Sequence, residues 1–174
     1  MLIQIGSSRG PSDIVDLLLE CHQRIRHFLS LACRLAQTHG ALRDEISDAS
    51  ARITRYFSEA LPLHVADEEQ SVVPRLSGRT PELDTALQGM HEEHLEHEPQ
   101  LKSLVEMCRT LHASPERLDE LRHSLLTTVS RLDKAVSAHL EQEEEIVLPA
   151  IRTWLTPEEQ ATMLTELRAR RGIS

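Results

Sequence analysis

Two stretches of this chain, seventy-five residues apart, carry the same order of residue types. The first reads His64-Val-Ala-Asp-Glu68-Glu69-Gln-Ser-Val-Val-Pro74, and the second His139-Leu-Glu-Gln-Glu143-Glu144-Glu-Ile-Val-Leu-Pro149. On an α-helix four residues make slightly more than one turn, so each His shares a face with the Glu four positions on. Two such pairs on facing helices gather two imidazoles and two carboxylates at one place. That is a metal site in outline, and it demands a fold with helices facing each other across a partly polar interior.

The rest of the chain meets that demand. Aromatic residues make up only 2% and there are six glycines, whereas strands favour aromatic and β-branched residues and need turns between them. Apolar residues recur at helical spacing through Val15, Leu18, Leu19, Ile25, Leu29, Ala32 and Leu35. Ser12 as cap and Asp13 and Asp16 in the first turn suit the positive end of that helix, read over 12–39 with Gly40 as its stop. A second run, 41–77, carries Leu42, Ile46, Ala49, Ile53, Phe57 and Leu61 in line with His64 and Glu68, kinks at Pro62 and ends at Gly78. A third starts at Thr80-Pro81-Glu82, bends at Pro99 and ends near 112. The fourth starts at Ser114-Pro115-Glu116, with Leu125, Val129, Leu132, Val136, His139, Glu143, Ile146 and Ala150 on its inner face. Thr156 and Glu159 form a capping box for a short fifth helix that frays from Arg168 to Ser174. The expected fold is all-α: an up-and-down antiparallel four-helix bundle with a short additional C-terminal helix. Residues 1–11 read as a flexible leader and 12–174 as one domain.

A formal charge of −9 argues against nucleic acid and against an acidic membrane surface, both of which need a basic face. No apolar run approaches a membrane span, and the N-terminus lacks the pattern of a signal peptide. Cys21, Cys33 and Cys108 are odd in number and have no C-x-x-C spacing, so they read as small buried hydrophobes in a reducing compartment. The expected location is the cytoplasm.

His22, His64, Glu68, His139 and Glu143 each stand where an apolar residue is due on an inner stripe. A buried Glu is costly unless it is paired or binds a cation. One His in such a stripe reads as an ordinary core residue; five polar positions at matched spacing do not. Helix three offers His91, His94 and His97. His94 continues the Leu83–Leu87–Met90 spacing and has Glu98 four residues on, so it is favoured, while the seventy-five-residue offset from His22 selects His97. The His not used read as exposed or supporting, and whether His91, His97 or Glu98 also ligates or replaces His94 stays open. Glu69 and Glu144 lie about 100° round from their partners and read as rim or helix-contact groups. Asp67, Glu141 and Glu145 read as solvated surface. The mixed nitrogen and oxygen set suits iron, manganese or zinc better than magnesium or calcium.

His22, His64-x-x-x-Glu68, a His in helix three and His139-x-x-x-Glu143, in that order over about 12–155, resemble the hemerythrin-like, or HHE cation-binding, domain family. The resemblance implies two iron ions as a non-haem di-iron centre, joined by an oxo or hydroxo bridge and by two carboxylates. Carried over, Glu68 and Glu143 would bridge, His22 and His64 would complete one iron, and His139 with His94 the other. Zinc or manganese could substitute. Oxygen-carrying members place a second His four residues after the first on helix three, where this chain has Glu98. Their last carboxylate is usually Asp, five residues after its His, where this chain has Glu at four. Both departures argue against reversible oxygen carriage.

The expected function is binding or sensing of a small molecule such as oxygen, peroxide or nitric oxide, rather than dedicated catalysis. A di-iron oxidase or peroxidase, an iron-donating repair protein and a metal store or structural cation module are the alternatives. The resembling repair proteins carry an added cysteine-containing N-terminal domain, whereas about eleven residues precede helix one here. Sensing would call for a separate signalling or redox partner protein.

Overall fold

The computed structural model describes residues 13–173. They form an all-α bundle with no strand among them. Helix α1 spans Ile14–Gln37. Run α2 covers 43–76 and alternates α-helix with two π turns, Tyr56–Ala60 and Glu68–Val72. Helix α3 is Pro81–Ala113 and passes through Pro99 unbroken. Run α4 covers 118–154, with a π turn at Glu143–Val147, and α5 is Pro157–Arg170. Each of α1 and α3 packs against both α2 and α4. The Arg122 guanidinium, at the start of α4, donates to the Ala36 and Thr38 carbonyls at the end of α1. Arg152, at the other end of α4, pairs with Asp13 and Asp16 at the start of α1. These two helices therefore run antiparallel.

Helix starts mostly match their sequence signals. Thr80 accepts from the Leu83 N–H, and the Thr156–Glu159 capping box is closed from both sides. The cap of α1 is Asp13, whose carboxylate accepts from the Asp16 N–H at 2.8 Å; Ser12, expected there, and the leader 1–11 lie outside the described residues. Gly40 and Gly78, with φ of 73° and 78°, reverse the chain in the left-handed region that a side chain resists.

The π turns have a sequence correlate. Pro62, Pro74 and Pro149 each come two residues after one of these turns ends. A proline inside a helix lacks the N–H for the bond to residue i−4 and its ring crowds that carbonyl. Widening the preceding turn relieves the crowding, and the bonds Val73 N–H to Glu68 O and Leu148 N–H to Glu143 O close it. Pro99 has no such turn, so proline alone does not dictate one. The extra residue rotates the remainder of the helix about its axis. Ile146, expected on the inner face, is 41% exposed, and Val147 takes the buried place. Leu42, at the helix margin, is exposed as well.

The interior is stacked in layers. One apolar cluster runs from Ile25 and Phe57 through Leu104, Leu125 and Leu132. A second, at the other end, holds Leu18, Val72, Leu87, Met90, Val147, Ile151, Met163 and Leu167. His22, His64, Glu68, His139 and Glu143 are buried at the chain positions between these clusters. The ionisable layer is thus shielded above and below by hydrocarbon, where unpaired charges cost most.

Helix α5 does not fray where expected. Arg170 and Arg171 bind Asp67 at 2.9 and 2.6 Å, and Arg75 pairs with Glu166 at 2.7 Å. Asp67, read from sequence as solvated surface, is fully buried under this pairing. Nothing in the helical spacing of α2 announces that a later helix covers that face.

Candidate metal centre

Each polar side chain is brought inward by an apolar helix stripe it interrupts: His22 between Leu18 and Ile25, His139 after Val136. His64 and Glu68 share a single α turn, closed by the Glu68 N–H to the His64 carbonyl, and His139 and Glu143 repeat it. The carboxylate of each pair then opens a π turn. All six side chains singled out in the sequence meet. Donor atoms of His22, His64, Glu68 and Glu143 lie within 4.8 Å of one another, and so do those of Glu68, His94, His139 and Glu143. The two sets share both carboxylates.

The imidazoles fall into two pairs, His22 with His64 at 5.2 Å between ring centres and His94 with His139 at 4.9 Å. Their Nε2 atoms face the carboxylates: His22 to Glu143 at 3.1 Å, His64 to Glu68 at 3.0 Å, His94 to Glu68 at 3.3 Å, His139 to Glu143 at 2.8 Å. Close as they are, the buried His22 Nε2, both His64 ring nitrogens, Glu68 Oε2 and both Glu143 oxygens have no hydrogen-bond partner among the described residues. Leaving that many buried polar atoms unpaired is costly. Nitrogen lone pairs and carboxylate oxygens that converge without hydrogen-bond geometry make a donor set that could hold a cation. The residues fit the metal that the sequence implies.

The outer nitrogens fix the rings. Glu144 faces His22 Nδ1 at 2.9 Å, Glu69 faces His94 Nδ1 at 2.9 Å and Glu93 faces His139 Nδ1 at 2.6 Å. A carboxylate accepts only, so each Nδ1 carries the proton and Nε2 is left to bind. Arg26 in turn binds Glu144 at 2.8 Å. The arrangement has a pseudo-twofold logic: the second Glu of each matching stretch orients the His of a neighbouring helix. Glu93, the residue before the His that Glu69 orients, meets the His of the other stretch, His139. The residue before His22 is Cys21, a thiol where the residue before His94 is the carboxylate Glu93, so the two halves differ chemically.

The carboxylates of the layer draw positive charge toward its imidazoles. Burial disfavours the His22 imidazolium, but Glu143 and Glu68 outweigh it and raise its pKa to about 9. His139 is likewise opposed by burial and raised to about 9 by Glu143 and Glu93. His64 is pushed up too, against its burial, by Glu68. Glu68 itself, despite burial, is held well below the usual carboxylate range by His64, His22 and His94. The same carboxylates that favour protons on these rings would favour a cation, and the two compete for the ring nitrogens.

The three candidate His of helix three are now separated. His94 joins the cluster, and His91 is exposed with its Nδ1 on Glu69. His97 is buried against His139, ring centres 5.7 Å apart, outside both donor sets. Glu98 pairs with Lys102 on the surface. The seventy-five-residue offset fails for His22 because α1 and α3 are related by seventy-two residues, His22 to His94. Sequence reasoning missed Glu93, whose only signal was its place beside His94.

A model of the hemerythrin HHE cation-binding domain matches residues 13–151. An uncharacterized protein of Haemophilus influenzae is 29% identical over 83 residues, which is 46% of this chain and 48% of that protein. The chain therefore spans about half the length of this relative. No helix among the described residues is long and apolar enough to cross a membrane. The buried His and Glu cluster could hold a metal ion, and the chain belongs to the hemerythrin HHE cation-binding domain family.

Proposed function

We propose that the chain holds two metal cations side by side, iron in the cell, and that the pair binds or senses a small molecule such as oxygen, peroxide or nitric oxide. The observation that carries this reading is the sharing of Glu68 and Glu143 by two four-donor sets. His22 and His64 would serve one cation, His94 and His139 the other, with zinc or manganese able to occupy the same ligands. Two adjacent redox metals supply one-electron chemistry and an affinity for small oxidants.

The protein's part is positional. Glu144, Glu69 and Glu93 hold three imidazoles in the tautomer that binds through Nε2. The apolar clusters exclude water from the layer above and below and strengthen its electrostatics there. Output to a signalling or redox partner protein belongs to the same proposal.

The test is a purification without oxygen, a metal count, then admission of air while the visible spectrum is recorded. A spectrum that changes with air and reverts when oxygen is removed supports binding. Repeated turnover of peroxide points instead to an oxidase or peroxidase. A silent spectrum with zinc bound contradicts the proposal and identifies a structural cation module.

A further inference from the structure

Beside the metal layer, between α2 and α3, lies a pocket of about 700 Å3. A water molecule's share of liquid volume is about 30 Å3, and a diatomic gas is of that order. The pocket is far larger than such a guest requires, and it falls within the roughly 300–1,000 Å3 typical of sites for organic ligands. Ile25, Phe57, Leu61, Leu101, Val105 and Val136 contribute hydrocarbon to its wall. His64, His94 and His139 present the metal layer to the pocket, with His97 beside His139, while Glu98, Lys102, Glu106 and Arg109 follow along the α3 side. An apolar wall with a few convergent polar groups is the pattern of a small-molecule site.

The charges in the wall say which kind of molecule. Lys102 is paired with Glu98 at 2.6 Å and Arg109 with Glu106 at 2.5 Å. Glu69 is engaged by His91 and His94. Among the described residues of the wall away from the metal layer, each Lys, Arg and Glu already has a partner, so a charged group lodged along that wall would have to break one of these pairs. Burying a neutral hydrocarbon body against this wall is favourable by about 25 cal/mol per Å2.

We propose that this pocket binds a neutral, apolar organic molecule of medium chain length, with one end directed at the metal layer. The inference rests on the metal reading only for what lies at that end. It gives the centre a second guest, or a substrate class, besides a diatomic.

The test uses the full chain, with N-phenyl-1-naphthylamine as a neutral fluorescent probe and metal content measured on the same samples. Saturable binding of one probe per chain is expected, displaced by decan-1-ol and about tenfold less well by decanoate or decylammonium. Leu101→Trp and, separately, Leu61→Trp fill the pocket from opposite helices and leave every proposed ligand intact. At least one should fold, keep its metal and bind the probe about tenfold more weakly. Absence of saturable binding to metal-loaded wild-type chain overturns the proposal. So does equal displacement by the ions, or unchanged binding in both variants. Probe binding that appears only when a dimer is diluted to monomer also overturns it, because a second copy then covers the pocket. Saturable binding by a chain unable to hold metal contradicts the metal reading and leaves the pocket assignment standing.

Discussion

Glu69 faces the Nδ1 of His94 at 2.9 Å although the two stand twenty-five residues apart on different helices. Glu144 does the same for His22 across 122 residues. The Glu next to each shared carboxylate therefore orients a ring contributed by another helix. Removing such a partner typically costs about 10–100-fold in metal affinity. Glu69→Gln and Glu144→Gln should each weaken binding by about that factor, read by competition against a chelator, with helicity unchanged. Glu92→Gln, on an exposed site bonded to Gln88, should leave affinity as it was. Equal affinities in all three would refute the orienting role.

Asp67 sits fully buried between two guanidiniums, and one of these, Arg171, also reaches the Cys21 sulfur at 3.7 Å. Asp67 precedes Glu68, and Cys21 precedes His22, so one side chain of the C-terminal region braces two helices directly behind the metal layer. Stripping the partners from a buried charge costs about 3–5 kcal/mol. The double substitution Arg170→Ala with Arg171→Ala should lower the unfolding free energy by roughly that amount. Arg152→Ala, which breaks only exposed pairs, should cost about 1 kcal/mol or less. Denaturant unfolding of the metal-loaded protein measures both.

Without metal, stability should depend on pH in a particular direction. His22 and His139 titrate at about 9 in the fold, above the ordinary imidazole value of about 6.5. A raised folded-state pKa stabilises fully below the unfolded value, and that contribution is lost as pH rises through the folded one. The metal-free chain should therefore melt at progressively lower temperature from about pH 6.5 to beyond pH 9. A bound cation replaces those protons and removes the dependence, while metal affinity itself climbs with pH. Thermal melts of chelator-treated and metal-loaded samples across that range compare the two. A metal-free melting point that rises with pH would contradict the raised imidazole pKa values.

Much of the fold and of the site was legible in the chain because it depends on local period. The inner stripes of α1, α2 and α4 place His22, His64 and His139 by spacing alone, and all three are buried accordingly. What the period conceals is anything set by a widened turn or by a distant helix. Ile146 was misplaced because the π turn at Glu143–Val147 adds a residue, although Pro149 marks the place. Asp67 was misplaced because its cover comes from α5, about a hundred residues later. The choice among His91, His94 and His97 was open because α3 carries polar residues on several faces and because its offset from α1 is seventy-two rather than seventy-five. Glu93 was invisible for a related reason: a charged residue on α3 shows its partner only once α4 is in place.

Sharing of Glu68 and Glu143 between two cations is tested most directly by counting iron ions per chain. Elemental analysis after anaerobic reconstitution gives that number for the wild type and for Glu68→Ala and Glu143→Ala. Two per chain in the wild type, and no paired loading in either variant that still folds, is the expected result. One or none in the wild type, or two at full occupancy in both variants, would contradict it.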